Sequence, residues 1–264
     1  MFNLVIGQYV PMDSLVHRLD PRAKLVSMFL FVLIVFLANN WTTYGLMVVF
    51  CLAGIAASKL PFSFIYRGLR SVLVIVLLTF LLNLLFTGGG TTFFKWGWLQ
   101  ITSNGVLQSV YISVRILVII VITTLLTLTT SPIEITDGLE ALLRPLKKVK
   151  LPVHEFALMM SISLRFIPTL LEETEKIIKA QAARGSDFTT GSLKNRFKAV
   201  VPLLVPLFVS AFKRAEELAM AMEARGYHGD EGRTKLHQLT WARRDSGLML
   251  ILAAVTVVLL LLRG

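Results

Sequence analysis

Long apolar runs separated by short polar breaks make up most of the chain. Five runs have the composition of membrane-spanning helices: Leu25–Ala38, Trp41–Ala57, Val72–Phe86, Val106–Leu128 and Gly247–Leu262. Crossing a bilayer takes about 20 residues, so the first two runs are short and are predicted to cross as a tight hairpin. The pattern therefore predicts an all-α integral membrane protein with about five transmembrane helices.

Between the fourth and fifth runs the pattern changes to that of amphipathic helices. Ser131-Pro132-Ile133-Glu134 has the spacing of a capping box with proline at the first helical position, and it predicts a helix to about Lys148. Two long helices are predicted next, one from Leu151 to Gly185 and one from about Ser192 to Gly226. Internal prolines predict kinks in both of them, at Pro168, Pro202 and Pro206.

Each long helix contains an apolar segment that resembles a transmembrane span. Phe156–Leu171 is interrupted by Arg165, and Ala199–Phe212 contains two prolines. If only the second segment crossed, the ends of the two helices would lie on opposite sides of the membrane. A shared partner could then not bind both ends. We therefore predict that both helices lie beneath or partly within the bilayer. The predicted domains are residues 1–130 with four spans, a cytosolic-side coupling domain at 131–240 and a C-terminal transmembrane helix at 241–264.

Charge supports this division of the chain. The 264 residues are 55% hydrophobic and carry a net charge of +11. Residues 131–244 hold 18 of the 27 Lys and Arg and 13 of the 16 Asp and Glu. By the positive-inside rule, Lys59, Arg67 and Arg70 indicate the cytoplasmic side and the loop around Lys95 the outer side. The N-terminus and the coupling domain are then cytoplasmic, and the basic excess favours lipid rather than nucleic acid as a partner.

A short pattern occurs twice in the charged region, as EKIIKAQAARG at Glu175–Gly185 and EELAMAMEARG at Glu216–Gly226. Each copy is typical of a helix end, with the glycine at the position that commonly adopts a positive φ, which glycine takes without strain. Arg184 and Arg225 then sit at the tips of two helices. One arginine alone would be an ordinary charged helix end, but two copies suggest two equivalent docking points.

Arg115 interrupts the fourth apolar run, and an intramembrane arginine is a candidate functional residue. Asn83 on the preceding run is its predicted partner. Two structural alternatives are that Arg115 reaches the outer surface with its charged end or that it locks two helices together. The functional alternative is a permease that binds solute at this pair.

Motifs of hydrolytic or phosphoryl-transfer enzymes are missing. The four histidines lack metal-ligand spacing, Cys51 is the single cysteine, and no GxSxG, CxxC or Walker motif occurs. We therefore expect no catalytic, metal or cofactor site. The acidic stretch Glu172–Glu175 is interpreted as a solvated helix face, and the alternative is pairing with Lys176, Lys179 or a partner.

Several segments together resemble the transmembrane component, or T-component (EcfT), of energy-coupling factor transporters. They are HRLDPRAKL at His17–Leu25, LEALLRPLKKVKLP at Leu139–Pro152, LRFIP at Leu164–Pro168 leading to AQAARG at Ala180–Gly185, and MEARGY at Met222–Tyr227. The resemblance covers essentially the whole chain, and the paired Ala-Arg-Gly motif is its specific part.

The resemblance implies a non-catalytic subunit of an ATP-driven importer in the cell membrane of a prokaryote. Such a subunit joins two ATP-binding-cassette (ABC) ATPases to a membrane-embedded S-component that captures a vitamin or a metal ion. The residues that match the ATPase-docking motifs are Ala183, Arg184, Gly185, Ala224, Arg225 and Gly226. ATP hydrolysis is expected on the ATPases, and the S-component on the apolar faces of the long helices.

Overall fold

The computed structural model describes residues 9–96, 99–185, 193–227, 229 and 238–262. The chain divides into two compact units. The first comprises Met1–Leu142 with Leu239–Gly264, and the second comprises Leu143–Gln238. The first unit holds the apolar helices and the second holds the two long amphipathic helices.

The first unit begins with helix α1, Pro21–Val35, and helix α2, Trp41–Ser58. Asp20 caps α1 because its side chain accepts a 2.8 Å hydrogen bond from the backbone N–H of Arg22, and Pro21 is the first helical residue. At the start of α2, the Asn40 N–H donates to the Thr43 hydroxyl over 3.0 Å. The two helices therefore meet at the tight break that the sequence predicted around Asn39 and Asn40.

Helix α3, Phe62–Phe86, and helix α4, Ser103–Thr129, are separated by two short strands. Strand β1, Thr92–Trp96, pairs antiparallel with β2, Leu99–Thr102. The sequence predicted only an outer loop here, so the two strands are a finding of the structure. The Thr102 hydroxyl then caps α4 by accepting a 3.1 Å bond from the Gly105 N–H.

Helix α5, Pro132–Leu143, starts with the predicted capping box. The Ser131 N–H donates to the Glu134 carboxylate at 2.8 Å, and the Glu134 N–H donates back to the Ser131 hydroxyl at 3.3 Å. The prediction that this helix reaches Lys148 is wrong, because Arg144–Val149 forms a 3₁₀ helix. Pro145 explains the change, since it has no N–H to continue the α-helical pattern.

Helix α8, Arg243–Leu262, completes the first unit and packs against α1 and α2. The buried core of this unit joins α1, α2, α4 and α8. Its members are apolar side chains that include Phe31, Val35, Met47, Cys51, Val118, Leu252 and Leu259. Close van der Waals packing of these side chains holds the apolar helices in contact.

The second unit contains helix α6, Val153–Ala183, and helix α7, Leu193–Ala224. Both continue through internal prolines, Pro168 in α6 and Pro202 and Pro206 in α7. Both predicted long helices are thus present, with ends within two residues of the expected ones.

Among the described residues, three helices are long and apolar enough to cross a membrane: α2, α4 and α8. The two parts of α3, Phe62–Arg70 and Val72–Phe86, qualify together with a 52° bend between them. Helix α1 has 15 residues and spans about 22 Å, less than the ~30 Å hydrocarbon core. The integral membrane class is confirmed. By length and composition the count is three spans, or four with the bent α3, against the five predicted. Helix α1 falls short in both counts and α3 only in the lower one. Neither α6 nor α7 qualifies as a span, as expected.

Candidate functional site

Both predicted docking motifs lie at exposed helix ends in the second unit. Helix α6 ends at Ala183 and α7 ends at Ala224, each followed directly by the motif arginine and glycine. All six motif residues are exposed. A Cβ atom added at Gly185 or Gly226 would meet nothing within 4 Å. Both arginines are therefore presented on open surface.

The glycines close the two helices in the same way. Gly185 has φ +85° and Gly226 has φ +70°, which confirms the predicted left-handed helix ends. The Gly226 N–H donates to the Glu223 carbonyl at 2.9 Å, and the Tyr227 N–H donates to the Met222 carbonyl at 3.0 Å. These two bonds are those of a Schellman motif. The Gly185 N–H makes the equivalent bond to the Ala182 carbonyl at 3.0 Å, so both tips share this bond and a left-handed glycine.

Helices α6 and α7 are joined by Glu173. Its carboxylate accepts a hydrogen bond from the Ser210 hydroxyl. It also forms an ion pair with Arg214, whose Nη2 lies 3.1 Å from Oε2. The hydrogen bond from Ser210, together with the hydrogen bond and charge of Arg214, outweighs partial burial and holds the pKa of Glu173 below its usual value. This part of the acidic stretch is therefore an interhelical contact and not the solvated face that the sequence predicted.

A second contact fixes the direction of the two helices. The Gln181 amide, beyond Glu173 in α6, donates to the Pro202 carbonyl, which precedes Ser210 in α7. The helices are therefore antiparallel at their crossing. With a rise of 1.5 Å per residue, Arg184 lies about 16 Å beyond Glu173 and Arg225 about 22 Å beyond Ser210. Consequently the two arginine tips lie on opposite sides of the crossing and present two separate sites.

Large apolar side chains are exposed on both long helices. On α6 they are Phe156, Met159 and Met160, and on α7 they are Val201, Leu204, Val205, Phe208, Val209 and Phe212. The α7 set recurs every three or four residues and so forms one stripe on the helix surface. An exposed apolar surface of this extent is typical of a protein–protein or membrane contact.

Arg115 lies in the first unit, where it joins α4 to the end of α1 and to α2. Its Nη2 donates to the Ala38 carbonyl at 3.2 Å and to the Tyr44 hydroxyl at 2.7 Å. The guanidinium also lies over the Phe36 and Tyr44 rings, 5.3 and 5.9 Å from their centroids. Arg115 therefore holds helices together, which is one of the structural alternatives raised by the sequence.

Asn83 is not the partner of Arg115 in this structure. Its amide donates to the Thr79 carbonyl of its own helix at 2.9 Å. The contacts of Gly68 with Thr124 and of Gly105 with Leu84 set the antiparallel register of α3 and α4. That register places Asn83 about six to nine residues, or roughly 9–14 Å, along the axis from Arg115. The predicted pair is thus separated by about two helical turns.

A buried polar cluster lies at the start of α1. The Asp20 N–H donates to the Asp245 carboxylate at 2.8 Å, and the Asp20 carboxylate binds the Arg22 guanidinium at 2.8 Å. Arg22 also donates to the Leu239 carbonyl at 3.0 Å and lies 6.0 Å from the Trp241 ring centroid. Burial alone would raise the pKa of Asp20, but the hydrogen bonds and charge of Arg22 hold it below its usual value.

The same cluster contains Lys24, which is buried. Its ammonium group donates to the His17 carbonyl at 3.2 Å and to the Thr129 carbonyl at the end of α4 at 2.9 Å. The segment His17–Leu25 thus joins the first helix to the fourth and the last. Among the described residues, no group of three or more His, Cys, Asp and Glu side chains could hold a metal ion.

Comparison with known proteins identifies the family. Residues 12–236 match the family described as cobalt transport protein. The energy-coupling factor transporter transmembrane protein EcfT of Bacillus subtilis (strain 168) is 60% identical over 264 residues, which is all of both chains. The EcfT proteins of Listeria innocua and Lactococcus lactis are 54% and 49% identical, over 264 and 261 residues and at least 98% of each chain. The chain belongs to the EcfT family.

Membership of the EcfT family confirms the resemblance found in the sequence. The chain is the transmembrane component of an energy-coupling factor transporter and a membrane protein. Its two Ala-Arg-Gly motifs are the exposed tips of α6 and α7 described above.

Two contacts of this EcfT chain were not predicted from the sequence. One is the contact of Glu173 with Ser210 and Arg214, and the other is the hydrogen bond between Asp20 and Asp245. The first lay in a run of acidic residues where solvation was the simpler interpretation. The second spans nearly the whole chain, and the only signal for it was the position of Asp20 and Asp245 near the start of an apolar run.

Proposed function

We propose that this chain is the non-catalytic coupling subunit of an ATP-driven importer, between two ABC-type ATPases and a substrate-binding S-component. The observation that carries the proposal is the pair of exposed arginine tips, each followed by a left-handed glycine that makes the same backbone bond. Two diverging and equivalent tips suit two copies of one kind of partner. ATP hydrolysis would occur on the ATPases, and the imported vitamin or metal ion would be held by the S-component.

The chemistry of arginine suits this role. A guanidinium is permanently charged and presents several N–H donors in a fixed plane, so it can bind a carboxylate or backbone carbonyls at two points. Each tip would insert Arg184 or Arg225 into a groove on one ATPase, with the flanking alanines and glycines allowing close approach. Movement of the ATPases would then tilt α6 against α7 about the contact at Glu173.

The apolar stripe of α7 and the apolar residues of α6 would carry the S-component. Methionine side chains such as Met159 and Met160 adapt their shape to different partners, which would suit a surface that accepts more than one S-component. In this proposal residues 1–130 and 241–264 span the plasma membrane of a prokaryote. Residues 131–240 form the coupling domain, and both tips and the N-terminus are cytoplasmic.

The test is charge reversal at both tips. Replacing Arg184→Glu and Arg225→Glu together should abolish co-purification of the ATPases and substrate uptake, while membrane insertion is unchanged. Loss of one desolvated arginine contact costs about 2–5 kcal/mol, so the double change should be severe. Lys213→Glu, which reverses an exposed charge on α7 away from either tip, is the matched control. Normal ATPase association in the double variant would refute the docking role.

A solute-binding permease is the second candidate, because a cavity of about 420 Å³ lies beside Arg115. This candidate places Arg115 in the path of the solute, although Asn83, which the sequence paired with it, does not line the cavity. It predicts saturable solute binding to the purified chain alone. Binding that requires a second membrane protein would instead favour the coupling subunit.

A further inference from the structure

Beside Arg115 the first unit contains an open cavity lined by polar groups. Its volume of about 420 Å³ is within the range of about 300–1,000 Å³ usual for ligand pockets. The polar residues that line it are Asn39, Tyr44, Asn104, Gln108, Tyr111 and Arg115. Amide and hydroxyl groups thus surround a single positive charge.

The guanidinium of Arg115 is only partly satisfied by the protein. Both of its hydrogen bonds, to Ala38 and Tyr44, come from Nη2. Its Nε is buried with no hydrogen-bond partner. Its Nη1 donates no hydrogen bond to any of the described residues. The contacts of Arg115 are with neutral groups and aromatic rings, so they position the charge without neutralising it.

The first unit has no acidic side chain that could neutralise Arg115. Positions 21–133 contain no Asp or Glu, although they contain seven Lys and Arg. The acidic residues of the first unit outside this range lie before α1, on α5 or on α8, and all belong to the end of the unit where α1 starts: Asp13, Asp20, Glu134, Asp137, Glu140 and Asp245. Asp20 caps that helix, Asp245 binds Asp20, and Glu134 starts α5, whose Gly138 packs against Pro21 and Leu25. Ala38, which binds Arg115, lies beyond the other end of α1.

We propose that this cavity binds a phosphate group, held by Arg115 and supplied by the headgroup of an anionic phospholipid. Arginine binds phosphate with short charge-assisted hydrogen bonds, and the amides of Asn39, Asn104 and Gln108 are further donors beside it. The bound anion supplies the negative charge that positions 21–133 lack.

The surroundings of the cavity favour a lipid over a free anion. Trp41 is exposed next to it and contacts Tyr111 edge-on at 5.2 Å, and Tyr111 stacks on Tyr44 at 4.9 Å. Such aromatic clusters are typical of the level of lipid headgroups in a membrane. Leu107 lines the cavity and is exposed, as is Phe36. Acyl chains can therefore lie on apolar surface while the headgroup is in the cavity.

The experiment is lipid binding to the purified full-length chain in neutral detergent, followed by native mass spectrometry. Phosphatidylglycerol and phosphatidylcholine with identical acyl chains are compared. The expected preference for phosphatidylglycerol is about tenfold, the effect of about one charge-assisted contact. Arg115→Gln should remove the preference. Gln108→Trp should also remove it by filling the cavity while Arg115 and its two bonds remain.

Arg70→Gln is the matched control, because it removes one positive charge from an exposed site on α3 in the same unit. It should keep the preference. A second arm adds inorganic phosphate without lipid and measures thermal stability. One outcome is that phosphate stabilises the unchanged chain and not Arg115→Gln, while neither lipid is preferred. That outcome would assign the site to free phosphate and overturn the lipid source.

Two results would overturn the site itself. One is an unchanged chain that shows neither a lipid preference nor stabilisation by phosphate. The other is a lipid preference that persists in Arg115→Gln. If Arg115→Gln does not fold, Gln108→Trp decides the question in the same assay. The result does not depend on the ATPase-docking role of Arg184 and Arg225, which are tested separately.

Discussion

The backbone N–H of Asp20 donates a 2.8 Å hydrogen bond to the carboxylate of Asp245, 225 positions later in the chain. The same carboxylate accepts a 2.7 Å bond from the Ala242 N–H at the start of α8. Asp245 is 1% exposed. One buried carboxylate therefore satisfies backbone donors at the beginning of both the first and the last helix, where negative charge is also favoured by the helix dipoles.

Replacing this carboxylate should destabilise the first unit. We expect Asp245→Ala to cost about 1–3 kcal/mol, because two buried N–H groups lose their acceptor. The measurement is the melting temperature of the purified chain by size-exclusion chromatography after heating. Asp13→Ala is the control, since the Asp13 side chain is 90% exposed. Equal melting temperatures for the two variants would contradict the role assigned to Asp245.

A close helix contact should make Gly105 intolerant of a side chain. A Cβ at this position would lie 2.8 Å from the Thr87 carbonyl oxygen and 3.4 Å from that of Leu84. Gly105→Ala should therefore push α4 away from the end of α3 and cost about 1–3 kcal/mol. Gly45→Ala, where a Cβ meets nothing within 4 Å, should leave the melting temperature unchanged or slightly raised. A similar melting temperature for both variants would refute the close contact.

The left-handed glycines at the tips should matter for docking and not for insertion. Gly185→Ala and Gly226→Ala place a Cβ on residues with φ +85° and +70°, at a cost of about 1–2 kcal/mol each. The helix ends should then unwind and displace the arginines, which weakens ATPase co-purification. Asparagine tolerates this conformation better, so Gly226→Asn should recover much of the association. Equal association for the alanine and asparagine variants would show that the backbone conformation is not what matters.

The contact between α6 and α7 should weaken in acid. Because Ser210 and Arg214 hold the pKa of Glu173 below its usual value, the ionised carboxylate stabilises the crossing at neutral pH. That stabilisation is lost as the pH falls through the lowered pKa. Spin labels at positions 172 and 213, both exposed, should report a broader distance distribution below that pH. In Glu173→Gln the distribution should be broad at every pH, and a distribution sensitive to pH in this variant would assign the effect to another group.

Local chemistry made much of this fold predictable. Asp20-Pro21 and Ser131–Glu134 start helices as their side chains dictate, and Gly185 and Gly226 end them with positive φ. These features depend on residues a few positions apart. Pro145 shows the limit of this reasoning. The apolar periodicity continued past it, but the missing N–H ended the α-helix.

Contacts between distant segments could not be predicted from the sequence. Asn83 was paired with Arg115 because the two lie on consecutive apolar runs. Their relative positions along the helix axes, however, depend on the register of α3 against α4. That register is set by close contacts at Gly68 and Gly105, which hydropathy does not reveal. In the same way, nothing local indicated that Glu173 would face α7 and not solvent.

The first turn of α1 has a mechanical consequence for the chain. The polypeptide leaves the first unit after α5, whose Gly138 packs on Pro21 and Leu25, and it returns at Leu239, whose carbonyl binds Arg22. The point where the chain leaves the first unit and the point where it re-enters are thus both held on the first turn of α1. Pulling these two points apart would require breaking contacts of that turn.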